Sequence, residues 1–114
     1  MRIAYIDHKY DGNIASIKLA MCLQKRGFKV NVAQTLEEFE RKNDLKDFSV
    51  LLFHPGIDQQ YLIPQVRARF PKLPMAIFTN LSDDYDDCEE GEIHFFDKNR
   101  VDGIVEFIKQ HEGV

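Results

Sequence analysis

Tryptophan is absent from this chain of 114 residues, and cysteine nearly so, with Cys22 and Cys88 the two present. Two isolated thiols without metal-site spacing exclude both a disulfide framework and a cysteine zinc centre. They fit a reduced, cytoplasmic protein. Proline and glycine are also sparse, at four and six residues, and no stretch reads as a linker or a low-complexity tract. The longest apolar runs fall far short of the roughly 20 residues that cross a bilayer, and the N-terminus lacks a signal-peptide core, so no membrane partner is expected. An excess of positive charge is missing as well. Fifteen basic residues stand against 19 acidic ones, for a formal net charge of -4. Phosphate neutralisation needs clustered Lys and Arg, so no nucleic-acid partner is expected either. Lys25, Arg26 and Lys29 read instead as the polar end of a helix. With 44% apolar and 30% charged residues, the composition is that of one soluble globular domain over residues 1–114.

Five apolar runs alternate with helix-like or turn-like stretches. Arg2 to Asp7 predicts a buried first strand. Asn13 to Arg26 predicts a helix with Ile14, Ile17, Ala20 and Met21 facing inward and Gly27 at its C-terminal cap. Lys29 to Gln34 alternates with period two, as a strand with one poorly covered face does. Thr35 and Glu38 form a capping box for a second helix, whose inner face would carry Leu36, Phe39 and Leu45. Phe48 to Phe53 is almost wholly apolar and predicts a central strand. Leu62, Ile63, Val66 and Phe70 line the next helix, which either begins near Ile63 with Pro64 in its first turn or is kinked there. Met75 to Phe78 and Ile93 to Phe96 supply the last two strands. Val101, Ile104, Val105 and Ile108 mark the last helix. Strands joined by crossover helices imply a parallel sheet covered on both faces.

In such a sheet, ligands gather beyond the carboxyl ends of the strands. Four segments end in polar groups there: Asp7-His8, His54, Thr79 and Lys98. This arrangement resembles the receiver domain of two-component response regulators across nearly the whole chain. The resemblance implies a single-domain, flavodoxin-like, three-layer α/β/α sandwich with a five-stranded parallel sheet in the order 2-1-3-4-5. In that family two acids after the first strand hold magnesium, and an aspartate ending the third strand accepts a phosphoryl group. A Thr or Ser ends the fourth strand and a Lys the fifth. Asp7 fits the first acid, Thr79 the hydroxyl, Lys98 the ammonium and Phe95 the inward-packing aromatic. His8 stands in the place of the second acid, and His54 in that of the phosphoacceptor. Asn99 follows Lys98 where the family usually has proline.

The two histidines change the chemistry. Magnesium takes oxygen ligands, and Asp7 is the one obvious acid left, so magnesium binding is expected to be weak or absent. An imidazole at position 54 cannot become an acyl phosphate. The resemblance therefore implies a pseudo-receiver, no enzyme and no cofactor. It would signal independently of phosphorylation through the face made by the fourth strand, the fifth strand and the last helix. Phe95 and Phe96 lie on that face, beside a segment with seven acids among residues 83–92. A protein partner, or a second copy in a homodimer, is the expected contact. The alternative is a small-ligand or metal sensor in the strand-end pocket. Asp7, His8 and His54 make an acceptable ligand set for zinc or copper, against which stand the opposite directions of neighbouring strand residues and the lack of an obvious fourth ligand. The loop from Asp7 to Gly12 also resembles that of cobalamin-binding domains, with Lys9 in the place of the cobalt-ligating histidine and His8 one position early. No Ser-His-Asp ordering, Walker loop or Cys-x-x-Cys pair is present.

Overall fold

The computed structural model describes residues 2–8, 12, 14–54, 61–78, 93–96 and 101–111. The strands are β1 (Arg2–Asp7), β2 (Lys29–Ala33), β3 (Val50–His54), β4 (Met75–Phe78) and β5 (Ile93–Phe96). The helices are α1 (Ile14–Lys25), α2 (Leu36–Lys42), α3 (Leu62–Arg69) and α4 (Val101–Gln110), with a 3-10 turn at Leu45–Asp47. The strands form one parallel sheet in the order β2-β1-β3-β4-β5. All residues of β3 are buried, as its nearly unbroken apolar sequence requires of a strand flanked on both sides and covered on both faces.

Side chains alternate across a strand, so β1 and β3 each feed two cores. Ile3, Tyr5, Val50 and Leu52 pack with Leu19 and Leu23 of α1 and Ile104 and Ile108 of α4. Ala4, Ile6, Leu51 and Phe53 face the other way, onto Leu36 and Phe39 of α2, Leu45 and Val66 of α3. This alternation fixes the strand ends. Asp7 follows Tyr5, and His54 follows Leu52, onto the side that α1 and α4 cover.

Local signals terminate the elements as their chemistry dictates. Thr35 caps α2 by accepting the Glu38 amide at 3.1 Å, and the Glu38 carboxylate reaches back to the Gln34 amide at 3.4 Å. Gly27 takes φ +92° after α1, where the Phe28 amide bonds the Leu23 carbonyl at 3.2 Å. Pro64 lies in the first turn of α3, where a missing amide proton costs nothing.

The structure corrects the predicted inner face of α1. Its buried residues are Ser16, Leu19, Ala20 and Leu23, while Ile14 and Met21 are 70% and 50% exposed. Two apolar stripes overlap on this helix. The one that wins brings a serine inward, because that serine has a buried acceptor to meet. Leu45 is also not part of α2. It is buried from the separate 3-10 turn, capped by Asp44.

Candidate functional site

Asp7 and His54 are register partners at the C-terminal ends of β1 and β3. Parallel neighbours in register present their side chains to the same face, so the two groups meet. Asp7 is fully buried and His54 is 6% exposed. The Asp7 carboxylate is held by hydroxyls: Tyr5 Oη and Ser16 Oγ each donate to Oδ2 at 2.7 Å. Tyr5 reaches it because residues two apart share a strand face, and Ser16 because α1 crosses that face in its first turn. A buried carboxylate satisfied in this way avoids the full penalty of leaving its solvent.

The other carboxylate oxygen points to the third strand. Asp7 Oδ1 lies 3.4 Å from His54 Nδ1. That separation exceeds the 2.7–3.2 Å range of an N–H···O bond. His54 Nδ1 is buried and makes no hydrogen bond among the described residues.

His8 completes the cluster. The chain turns immediately after β1, and the His8 amide donates to the His54 carbonyl at 3.1 Å. His8 Nδ1 lies 3.1 Å from the same carbonyl oxygen. A carbonyl only accepts, so in this contact Nδ1 carries a proton, and the neutral ring has its lone pair on Nε2. The two imidazoles stand nearly perpendicular, with ring centroids 4.7 Å apart and planes at 86°. One ligand-type atom from each of Asp7, His8 and His54 falls within 4.8 Å of the others. The expectation that strand-end neighbours diverge is thereby overturned. His8 lies beyond the strand, in the turn, and its double contact with the His54 carbonyl draws it back over the strand ends.

Of the other predicted site residues, Thr79 and Lys98 lie outside the described residues, as does the acidic segment at 83–92. Phe95 and Phe96 occupy β5, in register with Ile77 and Phe78. Tyr5 and Ser16 were not anticipated as site residues. Their signals were a phenol two positions before a strand-end acid and a single hydroxyl on the buried stripe of α1.

Among solved structures the chain is similar to one described as a transiently phosphorylated switch in bacterial signal transduction. The two share 22% identity and a TM-score of 0.64, over 97% of this chain and 96% of that one. No protein-family model matches the chain, and no curated protein sequence matches it. The structural likeness defines the class of fold. This chain has the receiver-like α/β fold.

Proposed function

We propose that this chain is a signalling module of the two-component receiver type that works through protein contacts and without an aspartyl phosphate. The observation that carries the reading is His54. It ends the central strand, opposite the buried Asp7, at the position where a receiver's carboxylate would attack phosphorus. Phosphoryl transfer to a carboxylate needs that nucleophile in line, with magnesium and an ammonium neutralising the developing charge. Among the described residues the strand-end donors are one carboxylate and two imidazoles. That set does not fit magnesium, which prefers oxygen ligands throughout.

Output then lies in surfaces rather than in catalysis. The face of β4, β5 and α4, with Phe95 and Phe96 on its edge strand, is the proposed docking surface for a protein partner or a second copy. The acidic segment at 83–92 would steer a basic partner onto it, with an association rate that falls as salt rises. Among the described residues, no helix is long and apolar enough to cross a membrane. We place the module in the cytoplasm, where its two thiols would stay reduced.

Intact-mass spectrometry after incubation with acetyl phosphate and magnesium tests the reading. The wild type should gain no phosphate, and His54→Asp should gain one. A wild-type adduct stable in acid and lost in base would mean that an aspartate is phosphorylated, and would overturn the proposal.

A further inference from the structure

We propose that Asp7, His8 and His54 bind a divalent transition metal of the zinc class, in place of the hard cation that a phosphoryl-accepting pocket would hold. The inference stands on the geometry of three side chains and not on the signalling reading above.

Two ligands bonded at 2.0–2.1 Å to one tetrahedral zinc ion stand about 3.3–3.4 Å apart. Asp7 Oδ1 and His54 Nδ1 are 3.4 Å apart. This is too long for the hydrogen bond one would otherwise draw between them, and it matches the edge of a zinc tetrahedron. One ring nitrogen of His8 also lies within 4.8 Å of a ligand atom of Asp7 and of one of His54. It sits on a half-buried residue in the turn after β1.

A buried polar atom that makes no hydrogen bond among the described residues needs a physical reason, and an ion is one of the few available. His54 Nδ1 is such an atom, on a side chain only 7% exposed, and it faces a carboxylate oxygen. A cation between the two would give that nitrogen a partner.

The surrounding shell suits a metal as well. Metal-bound histidines donate their other ring N–H to a carbonyl or carboxylate, and metal-bound carboxylates are themselves hydrogen-bonded. His8 Nδ1 contacts the His54 carbonyl at 3.1 Å, which leaves the lone pair on Nε2. Asp7 accepts two hydroxyl hydrogen bonds on Oδ2, so its orientation is set from behind. Two imidazoles and one carboxylate suit zinc, cobalt, nickel or copper. Three protein ligands leave a fourth position for water or an incoming group.

Titration of the tag-free chain with Co²⁺, followed by competition with Zn²⁺, tests the site. Four-coordinate cobalt absorbs far more strongly in the visible than the six-coordinate aquo ion. We expect that stronger absorption at one equivalent, its loss on adding Zn²⁺, and its persistence in excess Mg²⁺. Zn²⁺ should also raise the melting temperature in a concentration-dependent way. His8→Ala and His54→Ala should each weaken Zn²⁺ binding by at least about tenfold, since even loss of a supporting contact costs that much. His111→Ala, at the far end of α4, should leave binding unchanged. His8 is half-buried in a turn, so its variant keeps the test valid if His54→Ala fails to fold. A cobalt spectrum that stays that of the aquo ion, or a Zn²⁺ affinity that His8→Ala leaves intact, overturns the site. Phosphate uptake by the wild type would overturn the signalling proposal and leave this result standing, so the two failures are distinguishable.

Discussion

Asp7 gathers the strand-end chemistry because it is the one described carboxylate with no access to solvent. Its Oδ2 takes both hydroxyls, from Tyr5 and Ser16, and its Oδ1 faces His54. Removing either hydroxyl takes away a hydrogen bond to a buried charged acceptor, and such bonds contribute about 1.5–3 kcal/mol. Ser16→Ala and Tyr5→Phe should therefore each lower the stability measured by urea unfolding by about that much, with little change in m-value. Tyr5→Phe keeps the ring that packs in the core, so its loss isolates the hydroxyl. A change below about 0.5 kcal/mol, the range of an ordinary surface substitution, would contradict the geometry.

At the scale of elements, α1 determines how the pocket is backed. Leu19 and Leu23 are fully buried against β1 and β3, whereas Ile14 and Met21 are exposed. Leu19→Ala should cost about 2–5 kcal/mol, and Met21→Lys should stay within about 0.5 kcal/mol. Thermal or urea unfolding of the pair measures the contrast, and equal costs would show that the helix presents its other face. At the end of the same helix, a Cβ on Gly27 would meet nothing within 4 Å, but φ is +92°. Gly27→Ala should therefore destabilise by about 1 kcal/mol through backbone strain alone. Between α2 and α3, Arg69 makes a bidentate pair with Glu40 at 2.8 and 3.1 Å. The bond to Glu40 raises the guanidinium pKa above its ordinary value. A raised value is lost only as pH climbs through it, far above neutrality, so this pair adds no pH dependence through the arginine near pH 7. Its exposure limits it to less than about 1 kcal/mol.

The elements were legible because strand runs, capping residues and the amphipathic α4 each carry a local signal. Thr35, Gly27 and Pro64 sit where their backbone chemistry requires. The face of α1 was not legible. Ile14 and Met21 are apolar at helical spacing, and the choice against them depends on Ser16 meeting a carboxylate nine residues earlier in sequence. The meeting of Asp7 with His54 was legible from topology, since both end adjacent strands. The approach of His8 was not, because it depends on a turn whose hydrogen bonds run to a carbonyl 46 residues away.

At the scale of the whole molecule, the sheet order brings the ends of β1 and β3 side by side at its centre, the switch point at which open parallel sheets bind ligands. If His54 stands there in place of an acceptor carboxylate, as proposed, the molecule should not respond to a phosphodonor. The most direct measurement is the backbone amide spectrum of the ¹⁵N-labelled protein, recorded before and after acetyl phosphate with magnesium, for wild type and His54→Asp. The wild-type spectrum should stay unchanged on adding the donor, beside shifts in the variant spreading outward from position 54. Shifts of that extent in the wild type, centred on the strand ends, would contradict it.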